Sequence, residues 1–335
     1  MAGAIKSGVS ALAGSLKKTA KKSPTLRRIA YNVFNASHFS NLFEHEQLLA
    51  DTVRCDTYAQ AIAKHIKPGS TVIDVGTGTG FLAMLAARVP DTHVYALDHS
   101  NMIELAEKVA RANGFENITF VNANSRSFTP DEKIDVVLHE QIGDDLFDEN
   151  MVDNLLDLKH RVMVPDGLIL PGRFQLFVEP VAMHPDFDIP LIDELKVQGL
   201  DFSVLGKEAA TYGLIPDDYF LRFRSADAFG HKLTEPEPAV DFDLNQMQSA
   251  SEIPDEIEFT RTIVADGRMS GFGIWFNCIF DEGNQFDTSP FSRHTHWAYR
   301  LYRAPAIACR AGDVVKYKLT MPDIRRAETW TIKVI

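Results

Sequence analysis

Two stretches of this chain carry residue types whose spacing could do chemistry. The first is Val72-Ile73-Asp74-Val75-Gly76-Thr77-Gly78-Thr79-Gly80, followed by the apolar run from Phe81 to Val89. A β-branched strand, three glycines on alternate positions and a helix-forming segment make a tight turn whose backbone is bare enough for a ligand to lie against it. The second is His139-Glu140-Gln141-Ile142-Gly143-Asp144-Asp145-Leu146-Phe147-Asp148-Glu149-Asn150-Met151. At the end of a parallel strand, Glu140 and Glu149 would point into the crevice that the first stretch lines. On spacing alone a blander reading stands beside this one: Asp148 and Glu149 complement a helix N-terminus, and the other acids are solvated.

The glycine spacing excludes two common ligands. A dinucleotide fingerprint needs its third glycine one position later, and a phosphate-cradling loop needs a Gly-Lys-Ser/Thr end. GxGxG, with Asp74 two residues before the first glycine, resembles the first motif of the class I S-adenosylmethionine methyltransferases. In that family an acid at the tip of the second strand binds the ribose hydroxyls. Here that strand reads His93-Val94-Tyr95-Ala96-Leu97 and ends at Asp98.

Further stretches resemble the protein arginine methyltransferases across nearly the whole chain. The segment around Glu140 and Glu149 is similar to their double-E loop, and Met163-Val164-Pro165-Asp166-Gly167 to Pro171 continues the match. Thr295-His296-Trp297, preceded by Phe286-Asp287-Thr288-Ser289-Pro290, resembles their THW loop, and His45 to Arg54 their cofactor-clasping helix. The resemblance implies S-adenosyl-L-methionine as cofactor and an arginine-containing protein or peptide as substrate. It implies that Glu140 and Glu149 hold the guanidinium, and that Asp51 with His296 accepts the departing proton. It places Arg54, Asp74, Gly76, Thr77, Gly78, Gly80, Asp98 and Glu140 at the cofactor, and Trp297 and Met151 at the substrate. The chemistry agrees, because a guanidinium stays protonated and presents a planar fork of donors that two carboxylates can hold.

The chain also departs from that family's pattern. Phe39 stands where a substrate-facing tyrosine is usual, and Leu48 where many members have methionine. Asn122-Ala123-Asn124-Ser125-Arg126 offers no acid where a glutamate usually meets the adenine amino group. Two alternatives therefore stand beside arginine methylation: a same-fold methyltransferase acting on another amine or a small molecule, and a catalytically silent S-adenosylmethionine-binding protein.

Strands and helices must position these residues. Helical patterning is expected from about Ala30 to Ile66. Strand and helix then alternate: strand Thr71 to Val75, helix to Arg88, strand to Leu97, helix Met102 to Asn113, strand Ile118 to Val121, strand Ile134 to Leu138, helix Met151 to Arg161. This is an α/β, Rossmann-like, mostly parallel sheet with its ligand at the carboxyl ends of the strands. After Pro171-Gly172, period-two runs such as Phe174-Leu176-Val178 and Val314-Tyr317-Leu319 predict an antiparallel β-barrel-like domain. The segment from Pro185 to about Pro216 reads as an inserted arm, partly helical around Ile192 to Leu205. The expected organisation is a basic tail over 1–29, a cofactor domain over 30–171 and a β-domain over 172–335 with the arm at about 185–216.

Composition bounds the rest. A chain of 335 residues suffices for two cores, and its apolar and charged fractions are ordinary for a soluble protein. The first 43 residues hold seven Lys/Arg and no acid, so a net charge of −12 leaves −19 on the remainder. An acidic body argues against nucleic acid and for cationic partners. The basic head, with Ile5, Val9, Leu12 and Leu16 at helical spacing, reads as a flexible tail, a membrane-surface helix or a transit peptide. Cys55, Cys278 and Cys309 are scattered without a CxxC, which indicates neither a disulfide framework nor a metal site and favours a reducing compartment. A cytoplasmic location is expected, with nuclear or organellar ones as alternatives. The apolar arm, by resemblance, implies a homodimer.

Overall fold

The structure, a computed structural model, describes residues 42–212 and 220–335. The basic head, Phe39 and the end of the arm lie outside the described residues.

Helices α1 (Leu42–Ala50) and α2 (Thr52–His65) meet at Asp51, whose Oδ1 accepts the Arg54 backbone N–H at 3.0 Å and caps α2. The expected single helical stretch is therefore broken at a polar residue that bonds its own backbone better outside a helix than within one. Then follow β1 (Thr71–Val75), α3 (Phe81–Ala87), β2 (His93–Asp98), α4 (Met102–Ala112), β3 (Ile118–Asn122), β4 (Ile134–His139), α5 (Met151–Arg161) and β5 (Met163–Leu170). These strands form a parallel sheet in the order β3-β2-β1-β4-β5. Every residue of β1 is buried, which is why its sequence is a near-continuous apolar run rather than an alternation. The order reverses at β1, so β1 and β4 open a crevice at their carboxyl ends. The stretch read only as a motif, Met163 to Leu170, is itself the edge strand β5, despite its Pro165 and Gly167.

The second half begins with β6 (Arg173–Met183). The arm that follows differs from its expected helical pattern: β7 (Lys196–Val197) and β8 (Leu200–Asp201) form a hairpin, turned by Gln198 at φ 53° and Gly199 at φ 81°, before the short helix α6 (Ser203–Glu208). Two successive positive φ values are incompatible with a continuous helix. Next come β9 (Phe220–Phe223), β10 (Phe229–Lys232), β11 (Val240–Asp243), β12 (Glu256–Thr262), β13 (Gly267–Asp281), β14 (Asn284–Asp287), β15 (Tyr299–Cys309), β16 (Val314–Thr320) and β17 (Thr331–Val334). They make a seven-stranded antiparallel sheet along β10-β6-β13-β15-β9, with β11 and β14 attached, and a three-stranded sheet β12-β16-β17.

One hydrophobic core runs through both halves, from Ile73 and Leu138 under the parallel sheet to Phe276 and Tyr317 in the antiparallel ones. Polar contacts reinforce the join. The Tyr58 hydroxyl donates to the His139 carbonyl at 2.8 Å, and Asn284 Nδ2 donates to the Thr57 carbonyl at 2.9 Å. The carboxyl end of β4 is thereby tied to α2, which β14 holds in turn, and Glu140 follows it directly.

Candidate active site

The glycine loop after β1 turns through Gly76 at φ 72°, Gly78 at φ 53° and Gly80 at φ 82°, a conformation that side chains resist. Asp74 is 1 % exposed, and its Oδ2 accepts both the Thr77 hydroxyl at 2.6 Å and the Ala83 N–H at 3.0 Å. It borders the cleft, but its oxygen holds the loop to the start of α3. A Cβ on Gly78 would sit 3.1 Å from His45 Cε1, so glycine lets α1 close over the loop. Gly80 departs from its expected place at the cofactor: it faces Ala106 of α4, where an added Cβ would lie 3.4 Å away, and serves helix packing.

The cleft over this loop has about 1100 Å³ of free space, part of it open to solvent, and is bordered by Gly76, Thr77, Gly78, Asp98, Arg54, Glu140 and Glu149. Asp98 accepts the Gly78 N–H through Oδ2 at 3.0 Å and the Ser100 N–H through Oδ1 at 2.8 Å, which sets its carboxylate at the rim. Arg54 donates from Nη2 to the Leu48 carbonyl at 2.7 Å, and its Nη1 lies 3.7 Å from Glu140 Oε1. Arg54 Nε and Glu140 Oε1 are both buried without a hydrogen-bond partner. An unpaired buried donor beside an unpaired buried acceptor is costly in isolation and suits the carboxylate and ammonium of an amino-acid group.

Glu149 borders the same cleft as Glu140, and no side chain caps α5, whose N-cap Asn150 sits at φ 56°. Burial pushes Glu149 well above the usual carboxylate range, helped by Asp148, Glu140 and Asp144. Burial also raises Glu140, against the pull of Arg54 and His296. Asp148 is pushed up to about 7 by burial and by its neighbours Asp145 and Asp144.

What shapes the loop from Glu140 to Glu149 comes largely from the other half of the chain. Arg300 on β15 grips Asp145 with two donors at 2.8 Å each. Asp144 accepts the Ala298 N–H at 2.8 Å and pairs with Arg222 of β9 at 2.6 Å. The Trp297 indole N–H donates to the Ile142 carbonyl at 2.7 Å. These anchors hold the turn at Leu146, where φ is 71° for a fully buried non-glycine residue.

Of the two residues expected at the substrate, Trp297 packs into the core yet also lines the hollow beside Asp51 and His296, whereas Met151 is placed wholly in the core. Trp297 is 3 % exposed, stacked on Phe286 and edge-on to Phe276, and Met151 is fully buried in the core as the first residue of α5. The size and polarity of those side chains are equally suited to core positions, and the core is where the long-range packing puts them.

Asp51 and His296 meet across the two halves. The Asp51 Oδ2 accepts His296 Nδ1 at 2.9 Å and the His296 backbone N–H at 2.9 Å. Burial would raise the Asp51 carboxyl, but these bonds and that from the Arg54 backbone hold it below its ordinary value. His296 Nε2 then faces Glu140 Oε1 at 3.8 Å. The pair borders a second hollow, with Phe43, Glu44, Gln47, His294 and Trp297. Residue reading missed Arg222, Arg300, His45, Gln141 and Asn154; the last three border the cleft and only His45 and Gln141 stand in recognised motifs.

The raised acids give a stability prediction. Asp74 and Asp148, raised to about 7, and Glu149, raised well above its ordinary value, bind protons in the folded state that the unfolded chain has released, so their contribution to stability is full below about pH 4 and is lost as pH rises through their folded values. Glu149→Gln removes one such group. Thermal melts at stepped pH should show a shallower decline above about pH 5 for the variant than for the wild type; equal slopes would mean that Glu149 is ionised in the free protein.

Comparison with known proteins agrees with this geometry. Residues 66–177 match the "Methyltransferase domain" family and residues 226–333 the "Arginine methyltransferase oligomerization subdomain". Protein arginine N-methyltransferase 1 of Schizosaccharomyces pombe is 30 % identical over 317 residues, covering 92 % of this chain and 88 % of that protein. Protein arginine N-methyltransferase PRMT10 of Arabidopsis thaliana is 28 % identical, covering 84 % and 81 %. Among solved structures, the Trypanosoma brucei PRMT1 enzyme–prozyme heterotetrameric complex with AdoHcy superposes with a TM-score of 0.72 at 25 % identity, over 84 % of this chain and 88 % of that one. A relative this similar over nearly its whole length, joined to the site geometry above, places the chain in the protein arginine N-methyltransferase family.

Proposed function

We propose that this protein transfers a methyl group from S-adenosylmethionine to a guanidino nitrogen of arginine in a protein or peptide. The observation that supports this most is the pair Glu140 and Glu149, two half-buried carboxyl groups on one cleft, Glu149 with only other acids among the charges that act on it. The cofactor supplies an electrophilic methyl group on a sulfonium. The protein residues do the remainder. Arg54 and the bare backbone of Gly76 and Gly78 hold the amino-acid end, and Asp98 holds the ribose. Glu140 and Glu149 fix the guanidinium by its fork of donors, draw positive charge away from the attacking nitrogen and orient its lone pair. His296, kept in place by Asp51, stands next to Glu140 and takes up the proton released as the nitrogen is alkylated. Closure of α1, through His45, excludes water from the sulfonium.

Incubating the protein with labelled cofactor and two peptides that differ only by Arg or Lys at one position tests the reading by mass spectrometry. Label should appear on the arginine peptide alone, because an ammonium is a point charge that cannot fill the fork. Equal labelling of both would favour a methyltransferase acting on another amine, and label on neither, with cofactor bound, would favour a silent binding protein.

The working form is proposed to be a homodimer in a reducing, cytoplasmic compartment. Leu200, Val204, Leu205 and Tyr212 are exposed on the arm, and a monomeric surface seldom leaves such a cluster uncovered. Among the described residues the arm meets its own chain near its base, where Arg268 pairs with Asp188, the Ala306 N–H meets Glu194 and Phe187 packs on Phe223. Light scattering at micromolar concentration should give twice the chain mass, and a monomer mass would reject the dimer.

A further inference from the structure

The sheet order gives the cleft a direction. It runs from Glu140 after β4, over the glycine loop after β1, to Asp98 after β2, and then to the residues after β3, since Asp98 pairs with Asn122. With the amino-acid end at Arg54 and Glu140 and the ribose at Asp98, the purine falls among Ala123, Asn124, Ser125 and Asn154. The acids on the cleft are Asp74, Asp98, Glu140 and Glu149, and none of them belongs to this end.

What stands there instead is two amides facing one arginine. The Arg126 backbone N–H donates to Asn124 Oδ1 at 3.1 Å, and Arg126 Nε donates to Asn154 Oδ1 at 3.0 Å. A backbone N–H and a guanidinium N–H can only donate, so both amide oxygens are turned toward Arg126 and both NH2 groups away from it. This removes the usual ambiguity between amide oxygen and nitrogen. Asn154 Nδ2 reaches Gln141 Oε1 at 3.5 Å, at the limit of a hydrogen bond, and Asn124 Nδ2 has no protein acceptor among the described residues. The purine end of the cleft therefore presents donors.

A purine offers acceptors at its ring nitrogens and a donor at its 6-amino group. We infer that this chain, on the cofactor reading given above, recognises the purine through its ring nitrogens by the amide donors of Asn124 and Asn154, with Arg126 as the residue that positions both, and does not read the 6-amino group. Specificity at position 6 is consequently low. A buried acid that relied on the amino group would be stranded by its loss and reject such a ligand strongly; a donor aimed at a ring nitrogen is indifferent to it.

Calorimetric titration of the full chain with S-adenosylhomocysteine and with its 6-deamino analogue, which carries hydrogen at position 6, tests this. The two dissociation constants should agree within about fivefold, since no protein group loses a partner. A larger loss for the analogue overturns the inference while leaving the cofactor assignment standing, and binding of neither overturns both. Asn124→Asp keeps the acceptor for the Arg126 backbone and replaces the free donor by an oxygen. That variant should prefer the 6-amino ligand by about tenfold or more, and an unchanged ratio removes Asn124 as the reader. Arg126→Met keeps the backbone N–H that holds Asn124 but removes the guanidinium that turns Asn154, so it frees Asn154 alone and should raise the same preference by about threefold or more. An unchanged ratio there, with affinity intact, overturns its positioning role.

Discussion

Turnover should fall by roughly 100-fold or more in Glu149→Gln and in Glu140→Gln, because each carboxylate supplies a charge-assisted interaction that is worth on the order of 2 to 4 kcal/mol in a closed site. Glutamine keeps the shape and a hydrogen-bonding oxygen, so what is lost is charge. The two variants should differ in a second readout. Glu140 also faces Arg54 and His296, at 3.7 and 3.8 Å, whereas Glu149 has only acids named among the charges that act on it. Glu149→Gln relieves repulsion in the free protein and should leave S-adenosylhomocysteine binding within about threefold. Glu140→Gln removes the partner of a buried guanidinium and should weaken that binding further. Single-turnover rates and calorimetry separate the two effects. Full turnover in a double variant would show that this clamp is not where methyl transfer occurs.

Arg54→Lys should weaken S-adenosylhomocysteine binding by about 10- to 100-fold, because hydrogen bonds to charged groups are worth about 1.5 to 3 kcal/mol and lysine lacks both Nε and the fork. The observations behind this are the unpartnered, buried Nε of Arg54 and the bond from Nη2 to the Leu48 carbonyl, which leaves the rest of the guanidinium aimed into the cleft. Charge is retained, so Glu140 keeps a cation nearby and the fold should survive. Affinity within about threefold of the wild type would mean that Arg54 serves the α1–α2 junction and not the ligand.

Much of this protein was legible in the residues themselves, for a physical reason. The alternation of strands and helices from Thr71 to Arg161, the glycine loop and the acid after β2 rest on local dihedral preferences and on periodicities of 2 and 3.6, which each segment carries within itself. The change to an antiparallel half after Pro171 was readable in the same way. Boundaries moved by a residue or two, as at Ala87 and Asn122, where chain ends are decided by single hydrogen bonds. The arm, read as partly helical around Ile192 to Leu205, has a helical turn at Ile192–Glu194 and the short helix α6, but two positive φ values at Gln198 and Gly199 set a hairpin between them that its apolar spacing did not show.

The site needed tertiary structure. Asp51 and His296 are 245 residues apart in sequence, and Asp145 and Arg300 are 155 apart, so no window contains either pair. Gly80 looked like its two neighbours in the loop, yet Ala106 faces it and the ligand space does not; Met151 and Trp297 have side chains that suit a pocket or a core, and packing put Met151 in the core and Trp297 between Phe276, Phe286 and the hollow beside His296. The orientation of Asn124 and Asn154 was equally invisible, since an amide offers both donor and acceptor until a pure donor such as Arg126 turns it. Sequence fixes what a segment prefers by itself; which oxygen faces which cation depends on where the chain returns hundreds of residues later, and only the folded packing of both halves decides that.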